Sequence, residues 1–301
     1  SMESMKQNFT GSFDKDGGTN TCILGKVGDL LGKMWFQVKL PALSNTTGTY
    51  SNWCNNTGHA FIKQCDLEIG GSVIDRHFSQ WLDIYNEMTD HQEKEYFGLN
   101  KHKAKNTYLR SAKQGINQDL NLYIPLHFWC CQNPGLALPM ISLQYYYLDF
   151  DERKRFAQVS HEYLIEQVQR ENKIPLQSSI KVNFTHPVKE LIWVVQDATI
   201  ATENITQPSN TTNLDATQNT LSSLSNKNDY FNYSPLQTRD SERYNGIQIY
   251  EHFSTCKIQF NTIDRILARK ASYFRYCQPL MAKHRIPEKH IYSYSFSLDP
   301  G

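Results

Sequence analysis

Apolar and polar residues alternate along Met34-Trp35-Phe36-Gln37-Val38-Lys39-Leu40, with Phe36, Val38 and Leu40 on one side and Trp35, Gln37 and Lys39 on the other. A period of two predicts a strand with unlike faces, and Pro41, which has no backbone donor, predicts its end. Thr19 to Leu24 also reads as extended, with a Gly28-Asp29 turn after it. Ser44 to Gly58 is nearly all Ser, Asn, Thr, Gly and Tyr and reads as a loop. His59 to Ile69 and Val73 to Asp75 flank Gly70-Gly71 and predict a hairpin. Phe78, Trp81, Leu82, Tyr85 and Met88 then recur at helical spacing, which predicts an amphipathic helix over 78–88.

The pattern continues with a polar, Lys-rich surface excursion from Thr89 to Gln118, a strand from Leu122 to Cys130, a turn at Asn133-Pro134-Gly135 and a strand from Leu138 to Tyr147. Asp149 to Gln169 changes character. Phe156, Val159, Tyr163, Leu164 and Val168 there predict an amphipathic helix joining two halves. Ile180 to Phe184 and Val188 to Val195 are strong β-formers. Asp197 to Asn228 has too little apolar surface to fold alone and reads as a long exposed loop. Strands return at Gly246 to Phe253, Thr255 to Asn261 and His290 to Leu298. Strands joined by polar loops, without a βαβ rhythm, predict an all-β fold of Greek-key or jelly-roll sandwiches.

Composition agrees with that picture. The 301 residues are 39% hydrophobic, with 17 Tyr and 15 Phe, enough for two domains with real cores. Net charge is +1, from 31 basic and 30 acidic residues, so no global field selects nucleic acid. No stretch approaches the roughly 18 to 20 apolar residues of a bilayer span, and the first residues hold no signal-peptide core. Cys22, Cys54, Cys65, Cys130, Cys131, Cys256 and Cys277 are scattered, without a C-x-x-C pair or a His at zinc spacing. Buried, reduced thiols are expected.

Chemistry-bearing motifs are sparse. The chain has no P-loop, no strand-linked G-x-G-x-x-G, no H-E-x-x-H and no G-x-S-x-G. Asp66 and Glu68 share a strand face about 7 Å apart, a spacing that suits paired carboxylates and equally a polar outer face. Asp75-Arg76-His77 and the stretch from His284 to His290 hold titratable groups whose mutual geometry the sequence leaves open. Acidic neighbours at Asp149, Asp151 and Glu152 largely cancel Arg153-Lys154-Arg155. Asn-x-Ser/Thr triplets begin at Asn8, Asn45, Asn55, Asn183, Asn204, Asn210 and Asn232. Asn45, Asn55, Asn204, Asn210 and Asn232, in or near the predicted loops, are the candidate glycosylation positions. No catalytic residue, metal ligand or cofactor site is expected.

Longer stretches are more specific. They run in order: Gly28-Asp29-Leu30-Leu31-Gly32-Lys33-Met34, Val38-Lys39-Leu40-Pro41, Gly58-His59-Ala60-Phe61-Ile62, Leu67-Glu68-Ile69-Gly70-Gly71, Ile74-Asp75-Arg76-His77 and Trp81-Leu82. Pro125-Leu126-His127-Phe128-Trp129-Cys130 precedes Asn133-Pro134-Gly135-Leu136-Ala137-Leu138-Pro139, and Asp151 to Gln158 precedes His161 to Gln167. His186-Pro187-Val188-Lys189-Glu190-Leu191-Ile192-Trp193-Val194 and Tyr292 to Leu298 complete the set. Together they resemble the major capsid proteins of nucleocytoplasmic large DNA viruses, the group that includes phycodnaviruses, iridoviruses and mimivirus-like giants.

That resemblance implies two consecutive jelly rolls, over 1–148 and 173–301, joined by a short helix within 149–172. It implies a structural, non-enzymatic subunit of an icosahedral capsid. Homotrimers would form pseudo-hexagonal capsomers that contact neighbouring capsomers and minor capsid proteins, assembled in the host cytoplasm without direct nucleic-acid binding or a membrane span. Six similar sandwiches from three chains give a six-fold outline. Relatives carry an N-terminal arm, several dozen more residues near Tyr145-Tyr146 and further strands beyond Gly301, so a shortened first roll and an incomplete second roll are expected. The alternatives are a jelly-roll glycan-binding or host-attachment protein, and a degenerate capsid paralogue that no longer assembles. A β-sandwich glycoside hydrolase would require Asp66 and Glu68 in a cleft.

Overall fold

The computed structural model describes residues 4–11, 18–25, 28–41, 56–89, 120–140, 154, 158, 162–171, 173–175, 177–196, 230–231, 233, 243–244, 247–248 and 251–297. The chain is mostly β and divides into two compact units, 1–35 with 125–167 and 36–124 with 168–301.

In the first unit β1 (Leu30–Leu31) pairs antiparallel with β6 (Leu138–Pro139), and Met140 N–H donates to the Asp29 carbonyl just beyond. Thr21 makes a single bridge to Thr10, which is all the pairing found within the extended stretch expected at 19–24. Trp129 and Cys130, expected to end a strand, lie instead in the short helix α3 (Trp129–Gln132). Their burial with Phe128 replaces strand pairing as the source of order. Asn133 caps the following 3₁₀ turn at Pro134–Leu136 by accepting from Gly135 N–H at 2.8 Å.

The second unit starts at the strand whose alternation is clearest in the sequence. β2 (Met34–Leu40) turns Val38 and Leu40 into a core with Ile62, Leu82, Leu122 and Ile124, while Trp35, Gln37 and Lys39 face outward. It pairs with β5 (Leu120–Leu126). β3 (Gln64–Ile69) and β4 (Ser72–Phe78) form the expected hairpin, and Gly70 and Gly71 take φ of +60° and +82° at its turn. Two successive positive φ values suit glycine and match the twist of the strands they join. The segment before β3 differs from expectation: Thr57–Phe61 is a helix, α1, with His59 buried, and only Gln64 onward is strand.

Helix α2 (Ser79–Thr89) follows β4 directly. Its Leu82 joins the core under β2, while Ile84 and Met88 join a second core with Phe231, Tyr233 and Ile291. β7 (Glu190–Val194) pairs antiparallel with β12 (Ile291–Ser295) in the register Trp193↔Tyr292 and Ile192↔Ser293. Side chains alternate across a strand, so Ile291, Ile192 and Val194 meet the α2 core while Tyr292, Tyr294 and Trp193 meet a third core with Phe274 and Ala271. The sheet is thus covered on both faces.

Past the two-residue strands β8 (Arg243–Tyr244) and β9 (Ile247–Gln248), which pair with each other, the hairpin β10 (Thr255–Phe260) and β11 (Ile263–Lys270) leads to a π-helical turn at Tyr273–Cys277 and the short helix α4 (Gln278–Met281).

Two expectations in this unit and the connector are corrected. Residues 162–169 are not helical: Leu164 stands in solvent, the Val168 N–H donates to Asp75 Oδ1, and Gln169 holds both the backbone N–H and hydroxyl of Thr185. Tertiary partners outbid an isolated helical turn there. Residues 180–184 make no strand, and Ile180 and Val182 remain exposed. The expected loops at 44–55, 90–118 and 197–228, and the strand beyond Met140, lie outside the described residues.

Candidate functional site

The charged groups singled out in the sequence separate into an exposed set and a buried set. Asp66 stands opposite Arg76 in the β3–β4 register and receives two guanidinium bonds, 3.0 Å from Nε and 2.9 Å from Nη2. The hydrogen bonds and charge of Asp66 raise the Arg76 pKa further. A register irregularity falls between Leu67 and Glu68, and Glu68 lies exposed opposite Val73. No carboxylate pair in a cleft results, and the polar-face reading of Asp66 and Glu68 is the one the structure supports. On the inner face of the same hairpin, His77 Nε2 and Asp75 Oδ2 meet at 3.0 Å, both almost fully buried. Asp75 Oδ1 also accepts from the Arg76 and Val168 N–H groups, which satisfies the buried carboxylate.

Two further buried clusters sit around β12. Lys289 Nζ reaches both oxygens of Asp83 on α2, at 2.9 and 2.8 Å, and lies over the rings of Phe231 and Tyr233. One turn on, Glu87 accepts from Glu288 N–H at 3.0 Å, and Arg285 N–H donates to the Met88 carbonyl. These contacts join residues about two hundred positions apart, and no local pattern announces them. His284 pairs with Glu190 at 2.8 Å.

The second cluster centres on Arg275, fully buried in the π-helical turn. It donates to His290 Nε2 at 2.9 Å, to the Glu288 carbonyl at 3.1 Å and to Glu251 Oε1 at 3.4 Å. Tyr292 donates to Glu251 Oε2 at 2.7 Å, and burial together with that carboxylate pushes its phenol well above the usual range. His252 bonds the Tyr233 carbonyl, and burial holds it below the ordinary histidine range. The hydrogen bonds of these clusters join distant segments, and among the described residues they set up no aligned nucleophile and base.

Among the described residues no group of three or more His, Cys, Asp or Glu is placed to hold a metal, and no helix is long and apolar enough to cross a membrane. Cys130 and Cys131 are buried 4.0 Å apart, and their mutual contact and burial push the Cys131 thiol up. Burial pushes Cys65 up to about 11. Cys277 is exposed on the outer side of its turn, against the expectation of burial, and Cys54 lies outside the described residues. Asn8 and Asn183 are exposed, whereas Asn45, Asn55, Asn204, Asn210 and Asn232 also lie outside them. Lys154 is exposed, and its neighbours Arg153 and Arg155 are not described.

Large apolar side chains stand in solvent on the β10–β11 hairpin and on α4: Ile263 and Leu267 on the one, Leu280 and Met281 on the other.

Comparison with known proteins covers the whole chain. A family profile described as "Major capsid protein N-terminus" matches residues 1–182, and one described as "Large eukaryotic DNA virus major capsid protein" matches residues 152–301. The major capsid protein of Pyramimonas orientalis virus is 39% identical over 229 residues, which span 64% of this chain and 56% of that protein. That of Phaeocystis pouchetii virus is 30% identical, across 99% of this chain and 81% of the relative. Its alignment runs over 424 positions against 301 residues here, so the relative holds segments that this chain lacks. A solved structure titled "PBCV-1 virus capsid, quasi-atomic model" superposes with a TM-score of 0.69 at 26% identity, over 99% of this chain and 78% of the other.

Proposed function

Because the chain belongs to the major capsid proteins of large eukaryotic DNA viruses, structural and non-enzymatic components of the virion capsid, we propose that it is a shell subunit acting as a homotrimer, the unit of a pseudo-hexagonal capsomer. The observation that carries this reading is the superposition of 99% of the chain on a solved capsid protein at a TM-score of 0.69. Two consecutive jelly rolls fit it, one over 1–148 and one over 173–301. The two family profiles overlap at 152–182, around the segment read as the connector.

The partners in this reading are two further copies of the chain, neighbouring capsomers and minor capsid proteins. Exposed Ile263, Leu267, Leu280 and Met281 supply apolar area suited to such contacts. Negative-stain electron microscopy of the purified protein tests the proposal. Three-fold particles with a six-sided outline are expected. Monodisperse single subunits at all concentrations would contradict it and favour a paralogue that does not assemble.

A further inference from the structure

The buried Arg275 guanidinium dictates the protonation state of a histidine. Its Nη1 lies 2.9 Å from His290 Nε2, and a guanidinium nitrogen only donates. Nε2 therefore accepts, and the His290 imidazole is neutral with its proton on Nδ1. Among the described residues, the groups around it come from four places. Arg275 and Tyr276, whose ring lies 5.0 Å from the guanidinium carbon, belong to the π-helical turn. Glu251 and His252 precede β10, and the two imidazole rings stand edge to face at 5.8 Å. Tyr292 follows on β12 and shares Glu251 with Arg275. Glu288 and Lys289 adjoin His290 itself, with the Glu288 carbonyl turned to Arg275 and the Lys289 ammonium turned to Asp83. While both imidazoles are neutral, one guanidinium faces one carboxylate. A proton on His290 would set an imidazolium N–H against a guanidinium N–H where neither reaches water.

We propose that Arg275, His290 and Glu251 form an acid-sensitive latch, closed while His290 is neutral and opened by proton uptake, which frees residues 288–292 from the turn at 273–277 and from the Glu251 segment. The latch is a property of the folded chain and does not rest on shell assembly. In the unfolded chain a histidine takes up its proton near pH ~6.5. The latch's contribution is therefore present in full above that value and is lost as the pH falls below it. Burial lowers the His252 pKa, which acts in the same sense. His77 beside Asp75 and His284 beside Glu190 are unchanged in the variant, so comparing the two chains isolates His290.

Urea unfolding of the full chain and of His290→Gln is followed from about pH 7.5 to about pH 5. The glutamine oxygen can accept from Arg275 and does not titrate. The unfolding equilibrium constant of the unsubstituted chain is expected to rise more steeply with acid, by up to ~tenfold per pH unit relative to the variant. Parallel profiles would overturn the proposal. Should His290→Gln not fold, imidazole ¹⁵N spectra of the unsubstituted chain decide instead: a neutral Nδ1–H tautomer of His290 at about pH 6 supports the latch, and an imidazolium there overturns it.

Discussion

Lys289 and Arg76 each hold an aspartate, and their surroundings give the two pairs unequal weight. Asp83, the partner of Lys289, is 2% exposed, so Lys289→Ala strands a buried carboxylate. A loss of about 3–5 kcal/mol in urea unfolding is expected. Arg76 and Asp66 lie on an open sheet face, where water and salt screen the pair, and Arg76→Ala is expected to leave the unfolding midpoint nearly unchanged. Thiol chemistry separates the cysteines in a similar way. Alkylation at about pH 8, read by peptide mass spectrometry, is expected to label exposed Cys277, while Cys65, Cys130 and Cys131 react only after denaturant is added. The surface role of Asp66 was legible in the sequence because strand alternation puts it outward. The burial of Arg275 and the Asp83–Lys289 pair were not, since their partners are fixed only when distant segments pack.

Among the elements, those with a clean period were legible. β2 matches its expected bounds, α2 falls within one residue of its own, and the β3–β4 hairpin forms about the expected Gly70-Gly71 turn, although its first strand opens at Gln64 and not at His59. α2 contributes Leu82 at the centre of the core under β2, and Leu82→Ala is expected to cost about 2–5 kcal/mol in the same unfolding assay. Gly71→Ala at φ +82° should cost about 1 kcal/mol through backbone strain alone, because the turn has open space around it. β11 went unread for a physical reason. Its sequence, Ile263 to Lys270, does not alternate, and register irregularities in its partner β10 shift which residues face inward. The stretch over 162–169 erred the other way: its apolar spacing is helical, yet Asp75 and Thr185 take up its polar groups in an extended path. Short segments follow their tertiary partners more than their own periodicity.

For the whole molecule, composition and periodicity reached an all-β reading, and the ordered stretches from Gly28 to Leu298 reached the family. Function came from that resemblance, since among the described residues no cluster carries chemistry that would have named it. Association is the level at which sequence is silent, because interface surface differs little in composition from ordinary surface. Gel filtration coupled to light scattering measures it directly. One species at three times the 34.9 kDa chain mass, stable on dilution, is expected; a monomer at every concentration would contradict a capsomer-forming subunit.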